Sequence, residues 1–120
     1  MASPSKLRRG DVVLVPFPFA DLSGRKLRPA VVISADPQGP EVILAFITSV
    51  MTNRSLRGAE VELVRGNAEF HITGLKVDSL IRLDKIVTLA TAVVSRRLGK
   101  AGPVTLNALG SMLRKAFDLR

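Results

Sequence analysis

Short runs of Val, Ile and Leu recur along the chain, separated by Gly, Pro, Asn and Asp at the intervals expected of a small sheet or barrel. They predict strands at Asp11 to Pro16, Pro29 to Ser34, Glu41 to Thr48, Ala59 to Val64, Ser79 to Leu83 and Val93 to Leu98. The runs AVVI (30–33) and VILAFI (42–47) are almost continuously apolar, as central strands covered on both faces are. AEVELV (59–64) alternates instead, which predicts a rim strand with one wet face. From Val104 the period changes. Leu106, Leu109, Met112, Leu113, Ala116 and Phe117 fall at helical spacing, with Pro103 and Thr105 where a helix start favours them. Arg114 and Lys115 lie near the C-terminal end of this helix, where positive charge suits its dipole. The pattern as a whole predicts a mainly β fold with one C-terminal helix.

The first two runs flank a polar loop that delivers Arg25, Lys26 and Arg28. Pro16 and Pro18 donate no ladder hydrogen bonds, so the first strand breaks or becomes an edge there. Asp21, Ser23 and Gly24 supply turn chemistry. A cationic loop between two strands suits a phosphate, and Arg25 and Lys26 read as contacts that position a nucleic acid without choosing bases. The longest polar connection, VMTNRSLRG (50–58), is either a functional loop or a solvated hairpin tip.

At 120 residues the chain is read as one domain, residues 1–120, without repeats or linkers. Composition is 47% hydrophobic with five Phe and no Trp or Tyr, so the core is aliphatic. The absence of Cys excludes disulfides, thiolate metal sites and a Cys nucleophile. A single His excludes a His-based metal cluster within one chain, and no metal or cofactor is expected. MASPSKLRRG lacks the apolar segment of a signal peptide, and no run approaches the roughly 18 residues a membrane span needs, so the expectation is a soluble, cytoplasmic protein away from membranes. The formal charge of +8 is concentrated at the two ends, with residues 58–95 near neutral. An excess of this size favours a polyanionic partner, nucleic acid first.

The chain carries no P-loop, no Gly-x-Ser-x-Gly elbow, no His-Glu-x-x-His and no Gly-x-Gly-x-x-Gly. What is left for chemistry is Arg, Thr, Ser and Asp. That set suits RNA cleavage by transesterification, where the nucleophile is the substrate's own 2′-hydroxyl and the protein orients it and holds the phosphorane's charge. Arg28 leads the candidates, because its guanidinium stays charged and matches two phosphate oxygens; the alternative is an Arg that starts a strand and pairs with Asp21. Thr48 closes the third strand in FITSV, an ordinary position for Thr and also one from which a hydroxyl reaches a phosphate. Arg82 and Asp84 lie two apart on a strand and share a face, where they pair with each other or share a substrate. Asp78 reads as a turn cap and His71 as a surface residue instead of a general base.

The order Gly-Asp-(apolar)-Pro-Phe-Pro-Phe-x-Asp-Leu (10–22), followed by Arg-Pro-Ala-Val-Val-Ile-Ser (28–34), resembles the N-terminal signature of the PemK/MazF family of toxin ribonucleases. The resemblance runs from Arg9 to about Leu119, specific at the start and a matter of element order later. It implies a small SH3-like β-barrel with a C-terminal helix, acting as a homodimer whose two-fold groove binds single-stranded RNA. It also implies a metal-independent, cofactor-free endoribonuclease that leaves a cyclic phosphate and a free 5′-hydroxyl. An acidic antitoxin is the implied protein partner, with promoter DNA bound only by the toxin-antitoxin complex.

The same resemblance makes Arg28 the main catalytic residue and Thr48 its hydroxyl partner, with Ser49 in reserve if the register is off by one. Arg82 and Asp84 enter as RNA-binding and catalytic residues used by some members. The family's His or Glu in the first loop is missing from DLSGRK (21–26), which leaves the general base unassigned. Two non-catalytic readings of the same barrel compete: a gyrase poison resembling CcdB, and an inactive nucleic-acid-binding module.

Overall fold

A computed structural model describes residues 6–16, 26–35, 39–49 and 59–119. The strands are β1 (Asp11–Pro16), β2 (Leu27–Ala35), β3 (Glu41–Ser49), β4 (Glu60–Leu63), β5 (Ser79–Ala90) and β6 (Arg96–Lys100), followed by the helix α1 (Pro103–Ala116). They form one antiparallel sheet in the order β4-β5-β3-β2-β1-β6. Register shifts fall between Val12 and Val13, between Val32 and Ser34 and between Ala45 and Ile47. Irregularities of this kind bend strands and raise their twist, so the sheet curls into a half-barrel with β4 and β6 at its edges.

The apolar runs occupy the middle of the sheet as expected. Ala30–Ile33 of β2 and Leu44–Ile47 of β3 are buried, and their alternating side chains feed two clusters, one on each face. On one face Val31, Ala45 and Ile81 meet Leu109 of α1, and on the other Val32, Leu44 and Phe46 meet Leu7 and Val94. Pro103 takes the first helical position, where its missing N–H costs nothing. No side chain within the helix caps this end. Glu69, far away in sequence, does so instead: its carboxylate accepts the N–H groups of Val104 (2.9 Å) and Thr105 (2.8 Å) and the Thr105 hydroxyl (2.8 Å). The Val104 N–H leads in holding this carboxyl below the ordinary range.

The elements depart from the sequence pattern at several points; β2 begins at Leu27, two residues ahead of Pro29, because Leu27 and Arg28 pair with Pro16 and Val15 of β1. β5 continues to Ala90 because Ile86 packs against the cluster on one face of the sheet and Val87 and Leu89 against the cluster on the other, while Asp84, Lys85 and Thr88 are exposed. β6 begins at Arg96, since Thr91–Val93 forms a 3-10 turn. Glu60 of the rim strand is buried, because Arg82 lies opposite it in the β4–β5 register. Phe117 ends the helix and is exposed instead of packed.

Candidate functional site

Arg28 stands two residues before Ala30, and Thr48 two residues after Phe46; Ala30 and Phe46 face each other across β2 and β3. Two-residue alternation therefore puts both side chains on one face at the same end of the ladder. Val15 of β1 pairs with Arg28 and Leu80 of β5 with Thr48, and the next row along the strands adds further residues. Leu14 of β1 lies between Pro29 of β2 and Arg96 of β6, while Ser49 of β3 faces Ser79 of β5. A cavity of about 530 Å3 runs along this end, and Arg28, Thr48, Ser49 and Arg96 line it.

Its opposite wall is the segment from Gly74 to Val77, which precedes β5. A 3-10 turn, Phe70–Thr73, aims this segment, with the Thr73 hydroxyl donating to Phe70 O at 2.7 Å and accepting the Leu75 N–H at 3.1 Å. The turn rests on β6 through two glycines. Gly74 has φ +77°, and a Cβ there would strike the Leu98 carbonyl; a Cβ on Gly99 would strike the Ile72 carbonyl. Arg65 holds the far end, donating its guanidinium to Lys76 O and its N–H to the Asp78 carboxylate, each at 2.8 Å. With its backbone fixed, Lys76 lines the cavity.

The lining thus combines the cations Arg28, Lys76 and Arg96 with the hydroxyls of Thr48, Ser49 and Ser79, over apolar surface from residues such as Leu14, Leu75 and Leu98. The described lining residues include no carboxylate. Such a surface suits a phosphodiester chain: permanent charge and planar donors for phosphate, and apolar ground for sugars and bases. Among the described residues no three His, Asp or Glu side chains gather as metal ligands, and no helix is long and apolar enough to cross a membrane.

The model for PemK-like, MazF-like toxins of type II toxin-antitoxin systems matches residues 8–117. The chain belongs to this family. None of the curated proteins matches the toxin in sequence. Among solved structures it resembles the Mycobacterium tuberculosis toxin MazF-mt6 at 23% identity and TM-score 0.70, covering 92% of this chain and 98% of that one. A mycobacterial endoribonuclease in complex with its cognate antitoxin gives 23% identity and TM-score 0.71, over 96% and 98%. MazE-MazF from Deinococcus radiodurans gives 18% identity and TM-score 0.67, over 95% and 98%. The toxin therefore shares their half-barrel and terminal helix.

The remaining candidates of the toxin lie elsewhere. Arg82 and Asp84 do not line the cavity; they form a two-pronged ion pair, 2.9 and 2.7 Å, on β5. Arg82 also reaches the buried Glu60 at 3.2 Å. The Arg82 hydrogen bond holds the Asp84 carboxyl below its ordinary range, and Asp84 in turn raises Arg82. His71 is exposed, its Nδ1 3.1 Å from Ala68 O. Lys26 is exposed ahead of β2, while Arg25 lies outside the described residues. Lys76 and Arg96 were not legible as site residues, because neither sits in a motif; the basic excess after residue 95 was the one hint of Arg96.

Proposed function

We propose that the cavity is the active site of an endoribonuclease that cuts single-stranded RNA without a metal ion. The observation that carries this reading is the gathering of Arg28, Thr48, Lys76 and Arg96 around one cavity in a chain of the toxin family. The similar fold of an endoribonuclease solved in complex with its antitoxin supports it. The substrate's 2′-hydroxyl attacks the adjacent phosphorus, the bond to the 5′ oxygen breaks, and the products end in a cyclic phosphate and a 5′-hydroxyl. Arg28 spans two oxygens of the pentacovalent phosphorus, and Thr48 donates its hydroxyl to a third, with Ser49 as its neighbour in reserve. Arg96, Lys76, Lys26 and Arg25 hold flanking phosphates. Arg82 and Asp84 have no place in this scheme, being engaged with each other and with Glu60.

The toxin acts in the cytoplasm as a homodimer whose two-fold groove joins two such sites. An acidic antitoxin covers the groove, with the toxin's +8 drawing it in, and the complex binds promoter DNA. The resemblance to an antitoxin-bound MazF supports this partner.

Incubation of the purified protein with mixed RNA in EDTA tests the reading. Wild type is expected to cleave and Arg28→Ala to be inert, with Arg28→Lys losing at least about 10²-fold in rate while melting normally, as for loss of one well-placed oxyanion donor. Near-wild-type cleavage by Arg28→Lys removes Arg28 from the centre of the mechanism. Tight RNA binding by the wild type without cleavage identifies an inert RNA-binding barrel instead, and trapped gyrase without any RNA effect identifies a CcdB-like poison.

A further inference from the structure

A second cleft, of about 580 Å3, opens beside the first and is lined by Lys6, Arg8, Asp11, Arg97 and Lys100 together with Ile72 and Gly99. β6 and the 3-10 turn resting on it divide the two. Arg96, Leu98 and Gly74 face the first cavity, while Arg97, Gly99 and Ile72 face the second. The divider is therefore one strand thick, and strands repeat every 4.7–4.9 Å or so across a sheet.

The charge of this cleft is strongly one-sided. Its one carboxylate, Asp11, is already engaged, accepting the Arg8 N–H at 2.8 Å and the Arg97 guanidinium at 3.1 Å. Arg97 also donates to Lys6 O at 3.3 Å, so its planar head is fixed at the rim. The side-chain charges of Lys6, Arg8 and Lys100 are exposed and meet no carboxylate among the described residues. Burial of apolar surface has little to offer a visitor here, since Ile72 is the one large apolar lining residue. A folding peptide needs apolar anchors; a phosphate backbone needs cations.

We infer that the cleft lined by Lys6, Arg8, Arg97 and Lys100 is a second phosphate-binding subsite, which holds the RNA backbone after it crosses β6 from the catalytic cavity. The inference rests on the ribonuclease reading. With no polar side chain besides these charges to read a base edge, the subsite adds affinity and reach without sequence preference.

Two uncleavable 2′-O-methylated oligonucleotides of mixed sequence, about four and about twelve nucleotides long, fall within the usual range of single-strand site sizes. For the Lys6→Gln/Arg8→Gln/Lys100→Gln variant, affinity for the longer one is expected to fall about tenfold, and its log-log salt slope to shrink by about 2, at about 0.7 for each phosphate no longer neutralised. Affinity for the shorter one stays at the wild-type value. A melting curve checks the fold, and if the triple variant fails it, Lys100→Gln alone is read by the same slope, with a change of about 0.7 expected. Equal binding of the longer oligonucleotide by variant and wild type overturns the subsite. So does a loss confined to duplex DNA or to an acidic peptide. If Arg28→Ala weakens both oligonucleotides and the triple variant weakens neither, the second cleft alone fails; if the wild type binds neither, the ribonuclease reading fails with it.

Discussion

Arg28 and Arg82 both stand on strands of the same sheet, but Arg28 lines the cavity and Arg82 does not. Arg82 has the Asp84 carboxylate at 2.7 Å and the buried Glu60 carboxylate at 3.2 Å, so its charge is spent inside the fold. Arg28 opens onto a cavity whose described lining adds Lys76 and Arg96 and no carboxylate. Arg82 thus ties β4 to β5, and Arg28 adds its charge to the cavity lining. On the neighbouring strand, Glu60 of β4 lies across from Arg82, whereas Val15 of β1 lies across from Arg28.

The contrast is broken most severely at Arg82. Replacing Arg82 by Ala removes its ion pair with the buried Glu60, a change that costs about 3 kcal/mol in comparable buried pairs, while cleavage per folded molecule stays near wild type. Urea melts and single-turnover cleavage assays on Arg82→Ala check both halves; a large loss of cleavage with unchanged stability would return Arg82 to the site. Gly74→Ala is next. At φ +77° and against the Leu98 carbonyl, an added methyl strains the turn by about 2 kcal/mol and moves Lys76 from its place, so both melting temperature and RNA affinity fall. Normal RNA affinity in a destabilised Gly74→Ala protein would show that the wall tolerates displacement.

The smallest effect is on acid stability. Glu69 has its folded pKa below the ordinary value of 4.5, so its contribution is fully present above that pH and disappears as pH falls through the folded value. Asp84, depressed by Arg82, acts in the same direction. Melting temperature measured from neutral to acid pH is expected to drop for the wild type below about 4.5, and the Glu69→Gln curve to lie lower near neutrality and converge with it in acid. Parallel curves would mean that the tie to α1 contributes nothing to the titration.

Much of the architecture was legible because burial imposes a period. β1 runs from Asp11 to Pro16 as its apolar pattern indicates, and AVVI and VILAFI fall in the two middle strands. The second half of β5 was hidden because the exposed Asp84, Lys85 and Thr88 break up its apolar run, so that it reads as a polar connection. The Arg82–Asp84 pair was visible from a spacing of two, but the burial of Glu60 was not, since it depends on which strand lies alongside. Arg28 and Thr48 could be named from the opening motif and from a strand end. Lys76 reaches the same cavity only through a 3-10 turn and a long-range Arg65 hydrogen bond, neither of which has a local sequence signature.

The back-to-back glycines at 74 and 99 limit how this toxin can diversify. Where the turn and β6 meet, only hydrogen fits, so larger residues cannot narrow the cavity from behind without prising the two backbones apart. Variation that retunes what the cavity admits must then come from its front, at Leu75, Lys76 and Val77. Related toxins with different targets should differ at those three positions while leaving the glycine contact behind them untouched.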